Sequence, residues 1–153
     1  MAVAEDLEVA QFLRGGPKKL FIGGRWVEAA SGKTFDTLDP ATGEVLAKVA
    51  EGGSEDVDRA VAAARKSFES GVWRDLPPAE RERILFRIGD LIEEHATEFA
   101  ELEALDNGMP INDANIWYVP LAIRTFRYYA GWATKLAGAT HDVSLPGKFL
   151  SYT

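Results

Sequence analysis

A chain of 153 residues suits one domain, and a domain of this size buries roughly 70% of the surface its unfolded chain exposes. Hydrophobic residues at 46% and charged residues at 27% exclude a disordered chain, and a net charge of −7, from 24 acidic and 17 basic residues, repels nucleic-acid phosphate. The chain has no cysteine, which excludes disulfides, thiolate zinc sites and a cysteine nucleophile within it.

Residues 1–18 read as a loosely docked arm. Leu7, Phe12 and Leu13 form one apolar turn, and Gly15-Gly16-Pro17 breaks any helix. Glu5, Asp6 and Glu8 interrupt the apolar run a secretory leader needs, so a cytoplasmic protein is expected. No stretch approaches the roughly 20 apolar residues that span a bilayer.

Residues 19–50 read as a β meander. Leu20-Phe21-Ile22 and Arg25-Trp26-Val27 flank Gly23-Gly24, a pair suited to a tight hairpin. The β-prone runs Thr34 to Leu38 and Val45 to Val49 flank Asp39-Pro40-Ala41-Thr42-Gly43, a turn sequence.

From Gly52 the apolar period changes from two to 3.6. Ser54 is the expected N-cap, followed by a stripe of Val57, Ala60, Val61, Ala64 and Phe68. Pro77-Pro78 opens a second helix with a stripe of Ile84, Leu85, Ile88, Leu91 and Ile92. A third, short helix carries Phe99, Leu102 and Leu105, and Asn107-Gly108 with Pro110 stops it. A fourth runs from about Asn112 to Leu136, with Pro120 either starting or kinking it.

The tail alternates again. His141 to Ser144 and Phe149 to Tyr152 read as strands around a turn at Leu145-Pro146-Gly147-Lys148. The chain stops inside the second strand, and the unpaired groups at that end are expected to belong with a continuation. No repeat, low-complexity segment or internal linker interrupts the chain. The residues alone describe a helix-rich α+β domain with about four helices.

Chemistry-bearing patterns are few. There is no G-x-G-x-x-G, no G-x-x-x-x-G-K-[ST] and no G-x-S-x-G. The two histidines, His95 and His141, are far apart and form no helical ligand pair. His95 reads as a helix-end or interface residue, His141 as a strand surface residue. Phe126, Tyr129 and Trp132 recur at helical spacing with Tyr128 beside them, and read as a packed helix face. Trp117, near a loop–helix junction, is a candidate pocket residue.

Six segments, taken in order, resemble the aldehyde dehydrogenase superfamily. Leu20-Phe21-Ile22-Gly23-Gly24-Arg25-Trp26-Val27 is similar to its opening strand, and Thr34 through Leu46 to its Asn-Pro-Ala-Thr-Gly-Glu segment. Asp56 to Arg65 resembles its first helix, and Trp73-Arg74 with Pro78-Ala79-Glu80-Arg81 the next junction. Glu103-Ala104-Leu105-Asp106-Asn107-Gly108-Met109-Pro110 matches a further motif, with Met109 where Lys is usual. Phe126-Arg127-Tyr128-Tyr129-Ala130-Gly131-Trp132-Ala133 completes the set.

The resemblance implies an α/β, aldehyde dehydrogenase-like family fold, of which this chain is about the first third. It divides the chain into an arm (1–18), the N-terminal part of a cofactor-binding domain (19–139) and the start of oligomerisation strands (140–153). It implies oxidation of an aldehyde to a carboxylic acid with NAD or NADP. In that reaction a Cys thiolate attacks the carbonyl and a Glu-activated water hydrolyses the thioester. The matching positions for that Cys and Glu, and for the cofactor contacts, lie beyond Thr153. The chain by itself is therefore expected to have no catalytic or cofactor-binding residue, no bound cofactor and no activity.

Two peripheral sites carry over. Backbone oxygens at Thr37 and Asp106 are expected to hold a monovalent cation, in a site whose third ligand lies downstream. Trp117 and Leu121 are expected to line the substrate tunnel. The resemblance also implies a homo-oligomer, dimer or tetramer, joined through 140–153. The alternative is a truncated, non-catalytic assembly or binding module that retains subunit contacts. Amphipathic helices with too few strands to cover imply a chain that is oligomeric or marginally folded alone.

Overall fold

The computed structural model describes residues 10–142 and 150–152. Its elements, in order, are α1 (Ala10–Arg14), β1 (Leu20–Ile22), β2 (Arg25–Val27), β3 (Thr34–Leu38), β4 (Val45–Ala50), α2 (Ser54–Glu69), α3 (Pro78–Glu94), α4 (Ala96–Asn107), α5 (Ile111–Asp113), a π-helical turn (Ala114–Tyr118), α6 (Val119–Ala130), β5 (Thr140–Asp142) and β6 (Leu150–Tyr152). The architecture is α+β and helix-rich, as expected.

The expected meander is instead two separate antiparallel hairpins, β1–β2 and β3–β4. Gly23 and Gly24 both take positive φ in the first turn, which suits the twist of a two-residue hairpin. The β3–β4 ladder shifts register between Thr37 and Leu38. The far edge of β4 is occupied by the lead-in: Lys18 N donates to Lys48 O at 2.7 Å, and Ala50 N donates to Lys18 O at 2.8 Å. Leu13 is buried against Ala47. Residues 12–18 are thus docked rather than loose, because a β edge offers the unpaired groups their backbone needs. Leu7 lies outside the described residues.

The helix α2 begins as its sequence suggests, but its cap differs. Gly53 is the N-cap and Ser54 the first helical residue. Asp56 supplies the acceptor: its carboxylate takes the Gly53 N–H at 3.1 Å. The same carboxylate takes the Ala30 N–H at 3.0 and 3.1 Å, which ties the loop after β2 to the helix start. Asp56 is the buried charged residue of the described chain, 3% exposed.

Two small clusters make the core. Ala100, Ala114, Val119 and Ile123 pack together with Ile92, Ala96 and Met109. Leu13 and Ala47 pack with Leu102 and Leu105. Helix α4 therefore serves both, presenting Ala100 to one side and its two leucines to the other. Helices α3 and α6 form the closest pair, and Gly89 permits it: a Cβ there would lie 3.1 Å from Arg127 Cγ and 3.5 Å from the Ile123 carbonyl oxygen. Arg127 fixes the pair by bonding Asp90 at 2.7 Å and Glu93 at 2.6 Å.

The fourth expected helix, Asn112 to Leu136, is not continuous. It is α5, the π-helical turn and α6, and it ends at Ala130. Pro120 occupies the first turn of α6, where its missing N–H costs little, and the turn before it widens. After Gly131 the chain tightens into i→i−3 bonds, Trp132 N to Tyr129 O and Ala133 N to Ala130 O. At the tail, β5 and β6 pair antiparallel, with His141 opposite Ser151. The expected turn at 145–148 lies outside the described residues. No helix among the described residues is long and apolar enough to cross a membrane.

The apolar stripe of α2 has no cover within the described chain. Val57, Val61 and Phe68 are 56%, 60% and 69% exposed. The outer face of α6 is similarly open.

Candidate functional site

The π-helical turn and α6 set the first candidate surface. Trp117 leaves the widened turn, and Leu121 follows in the first turn of α6. Their side chains are 63% and 53% exposed, beside the equally open Ile116 and Tyr118. Further along, Tyr128 meets Tyr129 edge-to-face at 5.2 Å and Trp132 at 6.2 Å. Of the aromatic face expected to pack, Phe126 is half-buried while Tyr129 and Trp132 are exposed, as is Tyr128 beside them.

The second candidate site joins residues 69 positions apart: Thr37 Oγ1 donates to Asp106 Oδ1 at 2.9 Å. Thr37 sits opposite Ala47, at the last regular pair of β3 before the register shift, and Asp106 lies at the C-terminal end of α4. The bond brings the two expected backbone positions into one neighbourhood. The carbonyl end of α4 is the negative pole of the helix, and oxygen donors suit a hard cation. Two residues do not complete a coordination shell, and among the described residues no cluster of three or more His, Asp or Glu fits a metal ion.

Other features were not legible beforehand. Among the described residues, an apolar cavity of about 480 Å³ opens between α3 and α4, lined by Phe12, Ile88, Ile92, His95, Glu98 and Phe99. His95 caps the junction of the two helices, as its position suggests, and its Nδ1 lies 3.2 Å from Glu98 Oε2. Hydrogen bonds to Glu93, and then to Asp90, hold the Arg127 guanidinium protonated beyond its ordinary range. Glu94 does the same for Arg87. The i, i+3 spacing of Asp90 and Glu93 shows they share a helix face, but only tertiary packing supplies their arginine.

Residues 26–153 match the Aldehyde dehydrogenase family. The chain belongs to the aldehyde dehydrogenase family. Over all 153 residues it is 52% identical to the protein DhaS of Bacillus subtilis (strain 168), and it spans 30% of that protein. It is 55% identical over 122 residues to a mitochondrial benzaldehyde dehydrogenase of Antirrhinum majus, a match covering 80% of this chain and 23% of that enzyme. Its structure superposes on the aldehyde dehydrogenase of Bacillus cereus, solved with NAD+, with a TM-score of 0.88 and 44% identity. That match covers 99% of this chain and 30% of the other. The chain thus spans about a third or less of the length of these aldehyde dehydrogenase relatives.

Proposed function

We propose that the chain is the N-terminal portion of an NAD(P)-dependent aldehyde dehydrogenase that oxidises an aldehyde to a carboxylic acid. The family match over residues 26–153 carries this reading. The NAD+ complex of the Bacillus cereus relative supports a nicotinamide cofactor, which when bound accepts the hydride released by the aldehyde. By this reading the chain is inactive alone, since it has no cysteine to form the covalent intermediate.

Its own residues then work at the periphery. Trp117 and Leu121 form one apolar wall of the aldehyde's approach, where they exclude water and orient the substrate. The indole favours flat, aromatic aldehydes, a preference supported by the 55% identical benzaldehyde dehydrogenase. Thr37 and Asp106 contribute backbone oxygens to a monovalent cation that ties the β3–β4 hairpin to α4. The β5–β6 hairpin begins the contact between subunits of a cytoplasmic homo-oligomer. The exposed apolar faces of α2 and α6 also suit the alternative, a non-catalytic assembly module.

Three measurements test these readings. The purified chain, given NAD+ and benzaldehyde, is expected to form no NADH by absorbance; chain-dependent turnover would refute its inactivity. The coding sequence after the Thr153 codon is expected to continue into the segments that carry the cofactor contacts and the Cys and Glu of the family reaction. An immediate stop codon would leave the assembly module as the function. In a longer product, Trp117→Ala is expected to lower kcat/KM for benzaldehyde relative to a short aliphatic aldehyde by about tenfold, the scale of one lost apolar contact. An unchanged ratio would remove Trp117 from the substrate wall.

A further inference from the structure

The chain has three asparagines, Asn107, Asn112 and Asn115, and only Asn107 precedes a glycine. The glycine is imposed by the fold. Gly108 caps α4 at φ 76° and ψ 16°, a left-handed conformation that side chains disfavour. A Cβ there would also lie 2.9 Å from Pro40 Cγ. An Asn-Gly pair at an exposed helix end is chemically special. The glycine amide meets no side-chain obstruction as it approaches the asparagine carboxamide, whereas Asp113 and Ile116 crowd the amides after Asn112 and Asn115.

We propose that Asn107 is a deamidation site gated by fraying of the last turn of α4. In the folded chain two bonds hold the reacting groups apart. Gly108 N donates to Ala104 O at 3.1 Å, and Asn107 Nδ2 donates to Glu103 Oε1 at 2.9 Å. The turn that must open is weak. It carries Glu103 and Asp106 at the negative pole of the helix and no basic residue. Helix ends of this kind open locally without global unfolding.

Once the turn opens, Gly108 N gives up its proton to solvent and bonds to Asn107 Cγ. The Cγ–Nδ2 bond breaks, and the nitrogen leaves as ammonia with a proton from solvent. The resulting succinimide takes up one water at either carbonyl, giving aspartate or isoaspartate. The net change is one water consumed and one ammonia released, with no oxidant or reductant.

Either product changes the end of α4. A third carboxylate joins Glu103 and Asp106 at a pole that already disfavours negative charge. The isoaspartyl product also lengthens the backbone before Gly108 by one methylene, which displaces the cap from Pro40. The Thr37–Asp106 bond, one residue away, is one link between hairpin and helix, beside the packing of Ala47 on Leu102 and Leu105, and it is the one this loosens. The modification therefore ages the chain at its hairpin–helix joint, whether or not that joint holds a cation.

The test is peptide mapping by mass spectrometry after prolonged incubation of the folded chain at mildly alkaline pH. The expected result is a gain of about one dalton confined to Asn107, resolved as two isomeric peptides, with Asn112 and Asn115 unchanged. Asn107→Gln is expected to abolish it. Ala104→Gly, which weakens the last turn without touching the reacting atoms, is expected to accelerate it about fivefold, from the helix-propensity difference. Conversion at Asn112 or Asn115 at the same rate would overturn the assignment. So would an inert Asn107 in the folded chain while the urea-unfolded chain converts. An Ala104→Gly rate equal to that of the parent chain would overturn the gating.

Discussion

Replacing Asp56 tests how a single carboxylate joins two parts of the fold. Asp56 is 3% exposed and accepts from the Gly53 N–H at 3.1 Å and from the Ala30 N–H at 3.0 and 3.1 Å. Arg59 Nη1 stands 3.4 Å away. Removing the capping acceptor costs about 1 kcal/mol. A main-chain hydrogen bond to a charged group adds roughly 1.5–3 kcal/mol. Ala30 is exposed, so water partly replaces its lost partner and the lower end applies. Asp56→Ala is therefore expected to destabilise by about 2–3 kcal/mol. Asp56→Asn retains one acceptor oxygen and is expected to cost about half as much. Urea titration followed by tryptophan fluorescence reads the midpoint, and amide hydrogen exchange reads Ala30 and Gly53 directly. An Asp56→Ala chain within about 0.5 kcal/mol of the parent, the scatter of ordinary surface substitutions, would refute the argument. So would unchanged exchange at both amides.

Arg127→Met removes the ties from α6 to Asp90 and Glu93 and is expected to lower stability, with the deficit shrinking as salt rises. The guanidinium is held protonated beyond its ordinary value by Glu93 and then Asp90. Its stabilisation is therefore fully present below that ordinary value and is lost only in stronger alkali. The difference between parent and variant should stay flat from neutral to mildly alkaline pH, and a slope in urea midpoints across that window would contradict the pairing. The open α2 face, with Val61 at 60% and Phe68 at 69% exposure, is expected to make the isolated chain self-associate. Val61→Glu with Phe68→Glu should shift sedimentation toward monomer while circular dichroism stays helical. A parent chain that is monomeric at all concentrations would remove the premise.

Local rules made much of the fold legible. The Gly23-Gly24 hairpin, the start of α3 at Pro78 and the stop of α4 at Gly108 each follow from the φ preferences of the residues themselves. The six family segments made the family legible as well, because their residues and order need no coordinates. The candidate site was less accessible. Trp117 could be singled out as an aromatic near a proline, but the π-helical turn that carries it arises where backbone bonding adjusts ahead of Pro120.

The amphipathic stripe of α2 marks the limit of periodicity. Its apolar spacing correctly marked a helix, yet nothing described in this chain covers Val57, Val61 or Phe68. Periodicity reports that a face is apolar and says nothing of what packs on it. The same holds for polar partners. Asp56 resembled any acidic residue in a first turn, and Arg127 any surface cation. The link from Asp56 to Ala30, the clamp of Arg127 on Asp90 and Glu93, and the bond between Thr37 and Asp106 join residues 26 to 69 positions apart. The sequence by itself determined the tight turns, the start of α3, the stop of α4 and the family, since each rests on local dihedral preference or residue order, whereas the break of the expected fourth helix at the π-helical turn and its end at Ala130 came with the structure. Which polar groups meet was decided only by tertiary packing, because a hydrogen bond depends on separation in space.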